Sequence, residues 1–359
     1  ELSADGLNWT SQELPEKLSG DVLTRATFFL SGLQFATVYS YRVRVINATD
    51  SVISEVGTFK TLKPVKSAVA VRPAENIKIN EARLTGVVIP RFDNTSVSFE
   101  YSTDKLNWQS LALPEKLSGS DSIQVKVDVS GLTANTVYSY RLKASNIAGD
   151  TISSVGSFKT YAVRDYDGNY YHAVTIGTQT WLQENLKTTH YLNGDPIPNL
   201  TDTAAWMHTT SGAYVYYNND PKLGQDYGAL YNWYVTADSR GLISGYHAPS
   251  GDEFVTLANF LGADYSGLAL REAGGGHWVI PNGNNSSGFT ALPAGFCGLL
   301  SSTGKFGFLG LGKETDYWTS FSMGNVAARA SMEPARFSML NVGDLNRKSY
   351  GLSLRLIKD

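Results

Sequence analysis

The sequence predicts a multidomain, β-rich chain: two all-β sandwiches, the first of them truncated, followed by a larger α+β domain. Three observations predict it. At 359 residues the chain exceeds what one ordinary core serves, and length alone points to two or three domains. Its opening stretch, roughly sixty residues and so the size of most of one small domain, returns from Glu100 onward as a tandem repeat. Beyond Tyr161 the texture changes, with glycine and tryptophan rising. Composition agrees with β structure: 42% hydrophobic, only 18% charged, with 34 Gly, 20 Tyr and 7 Trp.

The repeat is read directly. ELSADGLNWTSQELPEKLSG at the start matches EYSTDKLNWQSLALPEKLSG from Glu100, and the match runs on through TVYSYRVRVIN against TVYSYRLKASN to VGTFKT against VGSFKT. In the second copy VSFEYS, SIQVKVDV, VYSYRLKAS and VGSFKTY alternate apolar and polar residues between Gly, Asn and Asp turns, which is the pattern of a sandwich. A front portion, KPVKSAVAVRPAENIKINEARLTGVVIPRFDNT, contributes a further strand, ARLTGVVIP. The first copy lacks this portion, since Glu1 aligns with Glu100 in mid-strand, and an upstream continuation is expected. The domains are therefore expected at 1–62, 63–161 and 162–359.

In the last domain DYDGNYYHAVTIGTQTWLQENL gives a D-G hairpin followed by a strand. YGALYNWYV from Tyr227 has the spacing of a helix. SGDEFVTLANFLG predicts a second helix, with Ser250 as N-cap, Glu253 three residues later, apolar Phe254, Leu257 and Leu261, and Gly262 at its end. EAGGGHW, NGNN and GLLSSTGKFGFLGLG read as loops between short strands. YWTS from Tyr317 and YGLSLRLIK, alternating over Leu352, Leu354 and Leu356, read as strands that flank a weakly patterned stretch.

Two resemblances sharpen this. GLTANTVYSYRLKASNIAGD resembles the end of a fibronectin type III module, which implies that Tyr138, and Tyr39 in the first copy, form the tyrosine corner of such a sandwich. The succession DYDGNYYHAVTIGTQTWLQENLKT, LNGDPIPN, YNND, YGALYNWY, GYHAPSGDEF, HW, SGFTALPAGF, YWTS and YGLSLRLIKD closely resembles the Fibrobacter succinogenes major paralogous domain. That resemblance implies a C-type lectin-like fold of the formylglycine-generating-enzyme subtype, in secreted and surface proteins of Bacteroidetes-like bacteria. Some relatives with this fold are variable proteins of diversity-generating retroelements, which diversify the stretch after YW to bind ligand. Carried onto this chain, Ala328, Ala330 and Met332 fall at fixed, inward positions, and Arg329, Ser331 and Glu333 at free, outward ones, as the period of two of a strand requires. The family commonly has a large residue where Ala328 stands and Arg where Ala330 stands, and Pro334 interrupts the ladder.

Catalytic chemistry is sought and not found. His172, His190, His208, His247 and His277 are scattered, without the H-E-x-x-H spacing of a zinc site, and His247 reads as a packed side chain lacking the orienting partner a base needs. The one cysteine, Cys297, lies in an apolar run and reads as an inert thiol; it also excludes an internal disulfide. EAGGGHW lacks the Lys and Ser/Thr of a phosphate loop, and DYDGN lacks the bidentate Glu of an EF-hand. Calcium-dependent sugar binding would need six to eight oxygen ligands, which Glu333-Pro334-Ala335 and Trp318-Thr319-Ser320 do not supply. Neither a metal nor a cofactor is expected, and the chain is expected not to be an enzyme.

A net charge of -3 without a basic run argues against nucleic acid as partner. No apolar run reaches the roughly 18 residues that span a bilayer. The expected function is ligand binding or adhesion at a bacterial cell surface, with signal peptide and anchor upstream and an unidentified protein or glycan as partner. The predicted ligand face lies within 320–350. Phe321, Ser322, Met323, Asn325, Arg329, Ser331 and Glu333 form its first half, and Arg336, Ser338, Asn341, Asp344, Asn346, Arg347 and Tyr350 its second. The alternative is a structural or assembly part of a surface scaffold without its own small ligand.

Overall fold

The computed structural model describes residues 1–14, 17–20, 22–91, 94–299, 305–332 and 341–359. They form mostly sheets with few helices. Contacts group the chain into two compact units: Glu1–Pro73, Leu84–Val127 and Ser139–Gly156 make one, and Ala74–Arg83, Asp128–Tyr138 and Ser157–Asp359 the other.

The second repeat copy has the sheets its alternation predicts. One runs Gly149–Ile152, Val137–Asn146, Ser96–Ser102, Gln109–Ala112, and the other Ile123–Ser130, Glu81–Ile89, Ala68–Glu75. Between the sheets Gly86 approaches Leu142 and Phe99 so closely that a Cβ would meet the Leu142 side chain, so glycine is needed for this packing. The tyrosine corners are present in both copies. Tyr138 Oη accepts the Thr133 amide at 2.9 Å and its ring stacks on Phe158; Tyr39 Oη accepts the Gln34 amide at 2.9 Å and stacks on Phe59. The copies differ in cover. Tyr140 is 2% exposed, and its counterpart Tyr41 is 46% exposed.

In the other unit Ala173–Ile176, Gln179–Leu182, Ile357–Lys358 and Tyr246–His247 form a four-stranded sheet. A five-stranded sheet follows the order Phe306–Leu311, Ala294–Leu299, Thr315–Met323, Val326–Met332, Asn341–Arg347. The helix Gly251–Phe260 begins as expected: Ser250 Oγ accepts the Glu253 amide at 3.2 Å, the Glu253 carboxylate accepts the Ser250 amide at 2.7 Å, and Gly262 takes a left-handed φ of +82° beyond its end. Its Phe254 and Leu257 pack with Tyr317, Ala330 and Met332 in one core.

Two expectations are corrected. The aromatic run from Tyr227 is not one helix, because Tyr227 ends the helix Pro221–Tyr227, Leu230–Tyr231 pairs with Tyr214–Val215, and only the short turn Trp233–Thr236 is helical beyond it. A non-local pairing has overridden local spacing. The closing segment is also not an alternating strand with one wet face: Leu352, Leu354 and Leu356 are buried, and so are Ser353 and Arg355 between them. The closing segment's main chain bonds to several different segments, through Cys297, Tyr231, Asp316, Leu186 and Leu182, and the Arg355 side chain adds further bonds. Its guanidinium donates to the carbonyls of Leu182 (3.1 Å), Phe289 (2.6 Å) and Thr290 (3.3 Å) and to Asn185 Oδ1 (2.7 Å), and lies over the Phe289 ring at 4.4 Å. A buried cation is tolerated here because so many oxygens face it.

Candidate functional site: the hairpin after Trp318

Thr315–Met323 and Val326–Met332 are joined by Gly324 and Asn325. Met323 pairs with Val326 across this two-residue loop, and Gly324 has φ +57°, the positive value such a tight hairpin demands at its first central position. The base of the hairpin is fixed by aromatic anchors. Trp318 Nε1 donates to the Tyr231 carbonyl at 2.8 Å, Trp233 Nε1 to the Thr319 carbonyl at 2.9 Å, and both rings share a core with Ala327 and Leu352.

Register decides which side chains share a face. Trp318 pairs with Arg329 and Ser322 with Ala327, so the first strand carries two extra residues between these pairs. On the next pairing Val326 meets Arg347 and Ala328 meets Leu345. Cross-strand partners project to the same side, so Met323, Val326, Ala328, Leu345 and Arg347 line one face, with Phe321 two residues before Met323. The helix Gly251–Phe260 covers this face at its Ala330 and Met332 end. At the tip it is bare: Phe321 is 55%, Met323 61% and Leu345 47% exposed, and Asn325 and Arg347 are exposed beside them.

The predicted ligand residues separate accordingly. Phe321, Met323, Asn325 and Arg347 come together at the tip, while Ser322 and Asn346 are half-buried. The Asn346 amide nitrogen is buried without a hydrogen-bond partner. Ala328, Ala330 and Met332 are buried. Their neighbours do not point to solvent, which is a correction. Ser331 is 2% exposed, and the Arg329 side chain, 17% exposed, is drawn down to the wholly buried Asp316 at 2.8 Å. Both faces of this strand are covered, so alternation does not separate core from surface here. Tyr350 is likewise not part of the bare face: its ring stacks on Phe296 and its hydroxyl donates to the Leu299 carbonyl at 3.2 Å. Glu333, Arg336 and Ser338 lie outside the described residues, as do the side chains of Asn341 and Asp344. Sequence reasoning missed Leu345 and Val326, whose place on the face follows only from the register.

Groups with catalytic chemistry are dispersed. His247 is not a lone histidine: Nδ1 lies 2.7 Å from Asp359 Oδ1 and Nε2 3.0 Å from Glu253 Oε1. Burial alone would lower its pKa, but the bonds to both carboxylates outweigh burial and raise it. His172, His190 and His277 each pair with a separate carboxylate, Glu184, Asp167 and Glu272. A cleft of about 260 Å³ includes His172, Glu184, Lys187, Asp226 and Thr290, and the Thr290 hydroxyl there accepts a hydrogen bond from the Asn285 side-chain amide at 2.9 Å. Cys297 is fully buried, and burial pushes its thiol pKa well up. Among the described residues no group of three or more His, Cys, Asp and Glu side chains could hold a metal ion, and no helix is long and apolar enough to cross a membrane.

The sequence profile of the Fibrobacter succinogenes major domain matches residues 174–358, which contain the hairpin, its aromatic anchors and Arg355. The chain belongs to this family. The Fibrobacter succinogenes major domain thus takes up just over half of the chain, and the repeat copies lie before it. No curated protein matches the chain. Solved structures similar to part of it include the sensor domain of the anti-sigma factor RsgI4 of Pseudobacteroides cellulosolvens, 20% identical over 28% of this chain and 98% of that one, with a TM-score of 0.23. Another is the fibronectin type III domain of human fibronectin type III domain containing protein 3, 21% identical over 26% of this chain and 83% of that one, with a TM-score of 0.20.

Proposed function

We propose that this chain is a non-enzymatic ligand-binding or adhesion protein of a bacterial cell surface. In this reading fibronectin III-like sandwiches form a stalk, and the Fibrobacter succinogenes major domain adopts a C-type lectin-like fold that presents the hairpin tip to a protein or glycan. One observation carries it: Phe321, Met323 and Leu345 are held bare together at the hairpin tip, while Ala328, Ala330 and Met332 farther along the same face are buried. Their burial would add nothing the fold requires, and large apolar side chains beside Arg347 have the composition of an interface centre. Diversification of this segment by a retroelement is part of the same reading, now with the exchangeable positions at the tip rather than at Arg329 and Ser331.

The experiment compares the chain with a Phe321→Ser/Met323→Ser/Leu345→Ser variant on arrays of cell-surface glycans and proteins. A signal from the parent that the variant loses, at unchanged melting temperature, is expected. Equal signals from both would move the site elsewhere. The burial of Arg329 and Ser331 favours a second reading, a structural part of a surface scaffold, and the absence of any array signal would support it.

A further inference from the structure

The strand Phe306–Leu311 reads FGFLGL, with no charged or proline residue in it. It ends the five-stranded sheet and, among the described residues, pairs only with Ala294–Leu299. Among the described residues no main-chain hydrogen bond other than this pairing reaches Phe306, Gly307, Phe308 or Leu309. The opposite edge of the same sheet is protected in the usual ways. Asn341–Arg347 carries polar and charged residues, and its register shifts at Gly343, where φ is +105°. The Phe306–Leu309 part of this edge has neither charge nor register shift, and Gly310, at φ +85°, ends it with its carbonyl taken by the Lys313 and Glu314 amides, so among the described residues the outward main-chain groups of Phe306–Leu309 are left open.

This edge is also held in place. Phe306 packs near Trp206, with ring centroids 6.3 Å apart, and Phe308 near Tyr217 at 5.3 Å, both on the core that holds Cys297. Leu309, opposite Phe296, projects to the other side and is 51% exposed. A fixed strand costs little ordering entropy when another strand joins it.

We propose that the outer edge of Phe306–Leu309 takes up an extended peptide segment by main-chain strand addition, the incoming residues being uncharged and β-branched or aromatic. The uncharged character follows from cross-strand pairing, because a charged side chain on the peptide would face no opposite charge within Phe306–Leu311. Bulk is favoured opposite Gly307, whose missing side chain leaves backbone for a large neighbour to cover. A second copy of this chain is disfavoured by area. A six-residue strand is about 20 Å long, and pairing along it alone falls short of the ~1,200 Å² that stable interfaces bury.

The test uses the full chain and a fluorescent hexapeptide of alternating threonine and valine with blocked ends, read by anisotropy. Saturable binding is expected, weakened about tenfold or more by Leu309→Lys and by N-methylation of alternate peptide residues, which removes ladder donors without touching the protein. The methylated peptide keeps the outcome readable even if the lysine variant folds poorly by circular dichroism. Absence of saturable binding, binding indifferent to methylation, or a stable dimer by light scattering would each overturn the proposal.

Discussion

Arg329 separates two accounts of the hairpin, and its removal yields opposite results under them. If it is a ligand-face side chain, Arg329→Ala is a surface change and stability stays within about 0.5 kcal/mol. In the structure its guanidinium lies 2.8 Å from Asp316, whose side chain is fully buried. Truncation therefore leaves a carboxylate in the interior without this counter-ion, a loss of about 3 kcal/mol. For a domain of 150–250 residues each kcal/mol is worth about 2–4 °C, so the melting temperature should fall by about 6–12 °C. Denaturation followed by tryptophan fluorescence is suitable, because Trp318 is buried on the adjacent strand, directly opposite Arg329. An Asp316→Leu/Arg329→Met double variant should lose less than Arg329→Ala alone, since it removes both charges together. A melting temperature for Arg329→Ala within about 2 °C of the parent would refute the buried-pair account, because a drop that small is the signature of a surface change.

Three further outcomes are expected. His247 has a raised pKa, so its two carboxylate bonds add stability below the ordinary histidine value, and this is lost as pH rises through the folded one; the parent should exceed His247→Gln in melting temperature at pH 5 and match it at pH 9. Ser250→Ala should cost about 1 kcal/mol by denaturant titration, as loss of a helix cap does, and an unchanged midpoint would mean the capping box is not formed in solution. Cys297 should resist a thiol-specific reagent in the folded chain and react once denaturant is added, because burial disfavours its thiolate; rapid labelling without denaturant would contradict that burial.

Features set by neighbours in sequence were legible in advance. Ser250 and Glu253 are three residues apart and cap the helix as their spacing implies, and Tyr39 and Tyr138 close their corners within five residues. Features set by distant partners were not. The Tyr227 run looked helical until Tyr214–Val215 paired with Leu230–Tyr231. Alternation places Arg329 and Ser331 outward only where a strand has one wet face, and the burial of Asp316 is a tertiary fact no local pattern carries. Two extra residues after Trp318 and the shift at Gly343 then fixed which large side chains share the tip, and neither leaves a mark in hydropathy.

Arg355 has a consequence for how the family domain comes into being. Its guanidinium meets Asn185 across 170 positions of chain and the Leu182 carbonyl across 173, and Ile357 pairs with Trp181 over a similar distance. Closing loops that long costs entropy before any contact rewards it, which makes assembly slow. The Leu182 and Asn185 oxygens that Arg355 takes up are therefore made 173 and 170 residues before the side chain that claims them, and until it emerges they have water as their partner.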